Sequence, residues 1–168
     1  MSEVKATPSV SQIKLARKLM AFADIESVRL VSGKAVHLAP QAKPLKTQVG
    51  GPPAFAVTAK LQSHKGTRFQ ILVTYKMSGR RETQAHPEVH IDASFELTYS
   101  IPKDLTPTPR EIRAFSGTNA LLNSWPYWRE FVQNMVARMN LPPLTLPLFR
   151  LHPVQPRTSP PPKETQRP

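Results

Sequence analysis

His86 and His90 lie four residues apart, the spacing at which two imidazoles on one helix face can hold a zinc ion. Pro87 stands between them, and the residues that follow alternate as a strand, so the pair is not the helical one that zinc chemistry uses. Asp92 and Glu96 share the same spacing. They fall on the polar side of that strand, where two carboxylates are first of all a solvated face. The chain contains no Walker loop, no GxSxG elbow, no GxGxxG turn and no HExxH pair. Gly50-Gly51 sits in a proline-rich stretch and by itself cradles no phosphate. There is no cysteine, which removes thiolate chemistry and disulfides and fits a reducing compartment. These residues assemble no active site and no metal site. The expectation is a protein that is not an enzyme and carries no cofactor.

The residues that do stand out serve non-covalent chemistry. Trp125-Pro-Tyr-Trp-Arg-Glu-Phe131 places Trp125, Tyr127, Trp128 and Phe131 within one short run, in a chain only 7% aromatic. On a helix Trp125, Trp128 and Phe131 follow one another at three-residue steps and lie near one face. Such rings serve either as core or as a wall for an apolar partner, because they offer large contact area with few rotamers to freeze. Met135 and Met139, further along the same pattern, would add adaptable surface.

The chain as a whole bounds what such a wall could serve. Its 168 residues make about one domain, with 39% apolar content and a negative mean hydropathy of −0.36. No apolar run approaches the roughly 20 residues that span a bilayer. The start of the chain has no basic and then apolar leader pattern, so a cytoplasmic location is expected. Net charge is +12, which favours acidic partners, yet the cations are spread along the chain. Short clusters occur only at Lys14-Leu-Ala-Arg-Lys18 and Arg80-Arg81.

Periodicity supplies the elements that must position the rings. Residues 1–8 are polar and expected to be flexible. Leu15, Leu19 and Phe22 recur at helical spacing and predict a helix over 11–23. Residues 25–38 predict a strand with Val28, Leu30, Val36 and Leu38 on one face and a bulge at Gly33. Residues 39–53 hold four prolines and two glycines and predict a long crossover loop. Three alternating runs follow, around Phe55–Leu61, Phe69–Met77 and Val89–Ile101, the first two joined through a hairpin at Gly66. Thr108-Pro-Arg-Glu111 predicts a capped helix start with proline at the first helical position. Pro126 predicts a break, with Ser124 capping a second helix that Asn140 and Pro142-Pro143 stop. Residues 152–168 are proline-rich and polar and predict a disordered tail beyond one folded domain over 9–151. The fold class is α+β, a four-stranded antiparallel sheet with helices on one side.

Residues 115–150 resemble the C-terminal part of the SecB family of chaperones. The resemblance rests on Pro126-Tyr-Trp-Arg-Glu130 opening a long helix and on the Leu141-Pro-Pro-Leu-Thr-Leu146 exit. The order of elements fits as well: four strands, a crossover after the first, then helices. The extra helix before the first strand resembles the members that accompany toxin–antitoxin pairs. The resemblance implies a dimer of dimers, an apolar groove that holds unfolded or extended polypeptide without ATP, and no cofactor. One departure concerns charge. The export chaperone of the family presents an acidic sheet face to the translocation motor, whereas here the polar faces carry Lys60, Arg68 and Lys76 beside Asp92 and Glu96.

The expected function is therefore that of a holding chaperone whose client is an antitoxin or preprotein segment. The alternative is a nucleic-acid-binding module that uses the basic charge and the aromatics; a scaffold without a client is a third reading. The expected client groove joins the crossover, through Leu45 and Val49, to Trp125, Tyr127, Trp128 and Phe131 and to Leu144 and Leu146 of the exit.

Overall fold

The computed structural model describes residues 10–38, 54–79 and 89–149. Its elements are α1 (Val10–Phe22), β1 (Asp24–His37), β2 (Ala54–Lys65), β3 (Arg68–Gly79), β4 (Val89–Ser100), α2 (Pro109–Phe115) and α3 (Leu121–Arg138). The four strands form one antiparallel sheet in the order β1-β4-β3-β2. The chain thus leaves one edge at His37 and re-enters at the opposite edge at Ala54. The segment that makes this crossing, with Leu45 and Val49, lies outside the described residues, as do residues 1–9, 80–88 and the tail. The hairpin between β2 and β3 turns at Gly66, whose φ of 56° is left-handed backbone that glycine adopts without strain.

Alternation decides the two faces. In β3, Phe69, Ile71, Val73, Tyr75 and Met77 are buried, and in β4 the buried set is Val89, Ile91, Ala93, Phe95, Leu97 and Tyr99. These side chains face the helices. The other face is polar and mixed in charge. Arg29 on β1 meets Glu96 directly opposite on β4 at 2.8 Å, and Arg68 reaches Glu26 at 3.1 Å. Lys34 and Lys76 flank Asp92 from the two neighbouring strands.

β1 differs from its expected register. Its pairing with β4 steps between Ile25 and Ser27 and between Leu30 and Ser32, so the extra residues are Glu26 and Val31, and Gly33 pairs regularly with Ala93. Each extra residue reverses the alternation that follows it. Val28 and Leu30 therefore face the helices, whereas Val36 sits opposite His90 on the polar face. The glycine has another reason. A Cβ at Gly33 would stand 2.7 Å from Cζ of Phe131, so Gly33 is where the helix ring lies against the strand.

The helical side begins as the sequence indicates. The Thr108 hydroxyl accepts from the Glu111 N–H at 3.2 Å, and the Thr108 N–H donates to the Glu111 carboxylate at 2.7 Å: a complete capping box with Pro109 in the first turn. The Thr108 N–H and hydroxyl, with Lys18 nearby, hold the Glu111 carboxyl below its ordinary pKa.

Pro126 then breaks nothing. Helix runs from Pro109 to Arg138, interrupted only by one π-helical turn at Ser116–Ala120. Proline removes the N–H that would bond the Leu122 carbonyl, but Leu122 and Pro126 are both exposed, and water can take that carbonyl. Ser124 is no cap. It is fully buried, and its hydroxyl donates to the Ala120 carbonyl at 2.7 Å. Ile112, Ser116, Ala120, Ser124, Trp128, Val132 and Val136 form one buried row at four-residue steps. In an ideal helix that row would drift about 40° per step around the axis. The π turn takes back part of this drift and keeps the row on the sheet. Asn140, at φ 54°, ends α3 as a Schellman motif: Leu141 N–H donates to Val136 O at 3.1 Å and Asn140 N–H to Ala137 O at 3.0 Å.

Candidate client-binding groove

The aromatic run of α3 divides its rings between three environments. Trp128 points straight at the sheet and is 0% exposed. Its indole stacks on Tyr75 of β3, with centroids 5.1 Å apart and planes at 9°, and Phe131 stacks on its other side at 6.3 Å. With Phe131 lying on Gly33, the stack runs across the sheet from β3 to β1. Tyr75 is pinned in turn, its hydroxyl 2.7 Å from Ser124 Oγ and 3.2 Å from the Leu121 carbonyl. Burial pushes the Tyr75 pKa well above its ordinary value, so this hydroxyl stays protonated. Tyr99 behaves alike: burial raises it to about 12, although Asn123 donates to its oxygen at 3.1 Å.

One helical step earlier, Trp125 lies at the other flank. It meets Phe55 at the start of β2 at 6.5 Å, Tyr75 at 5.8 Å and Phe149 at 5.4 Å. Tyr127 is tilted against Phe95 of β4 at 6.4 Å and is 44% exposed.

After Asn140 the chain doubles back along α3 in extended form, through residues 141–149. Its contacts run antiparallel to the helix. Leu141 and Leu144 join Val136, Met77, Gly79 and Val89 around a small apolar pocket at the ends of β3 and β4. Farther on, Arg129 Nε donates to the Leu146 carbonyl and Trp125 Nε1 to the Pro147 carbonyl, both at 2.9 Å. Phe149 then packs on Trp125. The site is thus a channel along Trp125 and Arg129 with an extended strap held in it, and Trp125 itself rests against Tyr75 and Phe55.

The expected site residues fall into separate groups. Trp128 and Leu146 (3% exposed) are placed inside the core and not on an open wall. Their burial follows from position: Trp128 belongs to the four-step row that faces the sheet, and Leu146 turns inward where Arg129 captures its carbonyl. Phe131 and Leu144 are half-buried, Trp125 is half-buried beside the strap, and Tyr127 is open on the opposite flank. Trp125 and Tyr127 therefore do not share one wall. Leu45 and Val49 lie outside the described residues, and Phe55 near the start of β2 lies beside Trp125. Sequence reasoning missed Phe55, Arg129 and Phe149. Arg129 stood in the quoted motif, but only the returning strap gives it a carbonyl to bind. Among the described residues no group of His, Asp and Glu is arranged to hold a metal, and no helix is long and apolar enough to cross a membrane.

Comparison with known proteins decides the family. No family model matches the chain. It is 30% identical over 158 residues to the SecB-like chaperones MT2006 and Rv1957 from two strains of Mycobacterium tuberculosis, an alignment covering 85% of this chain and 87% of each relative. The chain belongs to the SecB-like chaperone family. Among solved structures, it is similar to the M. tuberculosis SecB-like chaperone Rv1957 in complex with a ChAD peptide from the HigA1 antitoxin. The TM-score is 0.67 at 20% identity, over 83% of this chain and all of that one. The four-stranded antiparallel sheet with helices on one face is thus the SecB-like fold.

Proposed function

We propose that this SecB-like chaperone holds unfolded or extended polypeptide without ATP, that it is not an enzyme, and that an antitoxin segment is its natural client in the cytoplasm. The observation that carries the reading is the channel beside Trp125. It offers aromatic floor and two side-chain donors aimed at main-chain carbonyls, and it needs no particular side-chain sequence in its occupant. The relative Rv1957 in complex with an antitoxin peptide supports the choice of client. The driving force is removal of apolar client surface from water, with backbone hydrogen bonds to fix the segment.

The test is suppression of aggregation of an unfolded client, with and without the cognate antitoxin segment as competitor. Leu45→Asp with Val49→Asp should spare folding and abolish suppression if the crossover closes the groove. A double variant that folds and holds clients normally would remove the crossover from the site. The nucleic-acid reading loses two of the aromatic rings, since Trp128 and Tyr75 are buried and offer no stacking face.

The chaperone is proposed to act as a dimer of dimers. Ile25, Leu30 and Val31 on the edge strand β1, and Tyr127 on α3, expose apolar surface, Leu30 at 48%. An uncovered edge strand of this kind invites pairing with another chain. Light scattering that finds only monomer at tens of micromolar would overturn this assembly.

A further inference from the structure

The extended strap, residues 142–149, differs from the rest of the body in how it is held. Among the described residues no backbone–backbone hydrogen bond ties it to a strand or helix. Pro142, Pro143 and Pro147 have no N–H to give. Its carbonyls at Leu146 and Pro147 are taken instead by the side chains of Arg129 and Trp125. Its apolar side chains enter at Leu144, Leu146 and Phe149, while Leu148 between them is 66% exposed. This is how a protein binds an extended peptide of loosely specified sequence: donors to main-chain oxygens, and pockets for some side chains. A segment held by side chains alone also opens at lower cost than one laddered into a sheet.

We infer that the strap is an internal stand-in for the client: the Trp125–Arg129 channel is the client site, and a client segment enters by displacing Leu144–Phe149. The inference rests on the holding function proposed above. It also names the kind of client segment the channel takes. That segment is extended, with an aliphatic residue in the Leu144 position, a second in the Leu146 position and an aromatic or large aliphatic residue in the Phe149 position. It presents two consecutive carbonyls to Arg129 and Trp125. Charged side chains are excluded from the Leu146 position, which is buried. In the empty chaperone the strap covers Trp125, through Phe149 and the Pro147 carbonyl, and keeps that ring from self-association.

Occupant and wall respond oppositely to mutation, and this gives the test. Weakening a wall lowers client affinity; weakening a resident competitor raises it. The probe is a fluorescein-labelled nonapeptide with the sequence of residues 141–149, its binding followed by anisotropy on the full chain. The variant Leu146→Ala/Phe149→Ala should capture the peptide about tenfold more tightly than wild type, because less is lost when the strap leaves. Trp125→Ala in the same background should remove that gain. Should the double variant fail to fold, Phe149→Ala alone carries the same comparison, since that ring is half-buried and lies at the strap's end. Equal or weaker capture by a folded strap variant overturns the inference and makes these residues wall. A separate arm keeps the two readings apart. Wild type that suppresses client aggregation while strap variants gain no peptide affinity sinks only the strap inference. Wild type that suppresses no aggregation, with strap variants that still capture the peptide, sinks the holding function and leaves the displaceable strap standing.

Discussion

Trp128 and Trp125 stand three residues apart in one helix and live in opposite conditions. Trp128 is sealed between Tyr75 and Phe131, and among the described residues its indole N–H meets no hydrogen-bond partner. Trp125 is half open, and its N–H holds a carbonyl of the strap. A three-residue step turns a side chain by about 60° around a helix. On a sheet-packed helix that is the difference between the centre of the contact and its border. The centre is held by packing; the border gives its donor to a strap carbonyl, a bond that a client carbonyl could take over. Stability and binding are thus divided between neighbours in one short motif, with Tyr127 on the far border, half open beside Phe95.

The sharpest way to break this comparison is Trp128→Ala. It should cost about 3–5 kcal/mol, the range for emptying a large buried aromatic site, and lower the urea midpoint accordingly. A loss no greater than that from Trp125→Ala would mean that centre and border do not differ.

A second probe reads the buried tyrosines under the stack. Tyr99 has an ordinary pKa of 10.0 and a folded value of about 12. Unfolded chains therefore lose this proton above pH 10, while folded ones keep it until about pH 12. Stability should be fully present below pH 10 and fall as pH rises to 12, by about 2–3 kcal/mol at most from this group. Tyr75 is raised in the same direction and adds to the fall. Urea melts between pH 9 and 12 measure the slope, and Tyr99→Phe should flatten it. An unchanged slope in that variant would place the alkaline loss elsewhere.

Trp125→Phe keeps an aromatic floor and removes only the donor to Pro147. A net loss of about 0.5–1.5 kcal/mol in folding stability is expected, the usual worth of one hydrogen bond. Peptide capture should change with it, because the strap and its replacement use the same donor. The smallest effect on the fold belongs to Tyr127→Ser, within about 0.5 kcal/mol for an exposed position. Its readout is assembly: sedimentation at low concentration should show weaker association than wild type, whereas identical profiles would take Tyr127 out of the interface.

Much of this was legible in the chain because it is local. Alternation from Val89 to Ile101 sets which side of β4 is wet whatever lies beside it. Thr108, Pro109 and Glu111 make their cap from one another. Asn140 ends α3 because its neighbours' carbonyls sit one turn back and its backbone accepts positive φ. Composition excluded thiolate chemistry, and the Pro-aromatic-x-Arg-Glu run with its leucine-proline exit pointed to the family.

Tertiary structure decided the rest, wherever a residue's role depends on a partner distant in sequence. Pro126 was read as a break because proline lacks a donor; the helix continues because that side faces water. Gly33 was read as a bulge because glycine bends strands; it is there because Phe131, 98 positions later in the chain, needs the room. The bulges at Glu26 and Val31 carry no glycine or proline signal and appear only in the pairing with β4. Trp125 and Trp128 are the same residue type one short step apart on the helix, and the run of aromatics alone left each ring open to being core or wall. Packing on Tyr75 chose Trp128, and the returning strap gave Trp125 its carbonyl, since only the assembled sheet fixes which arc of the helix is centre and which is border.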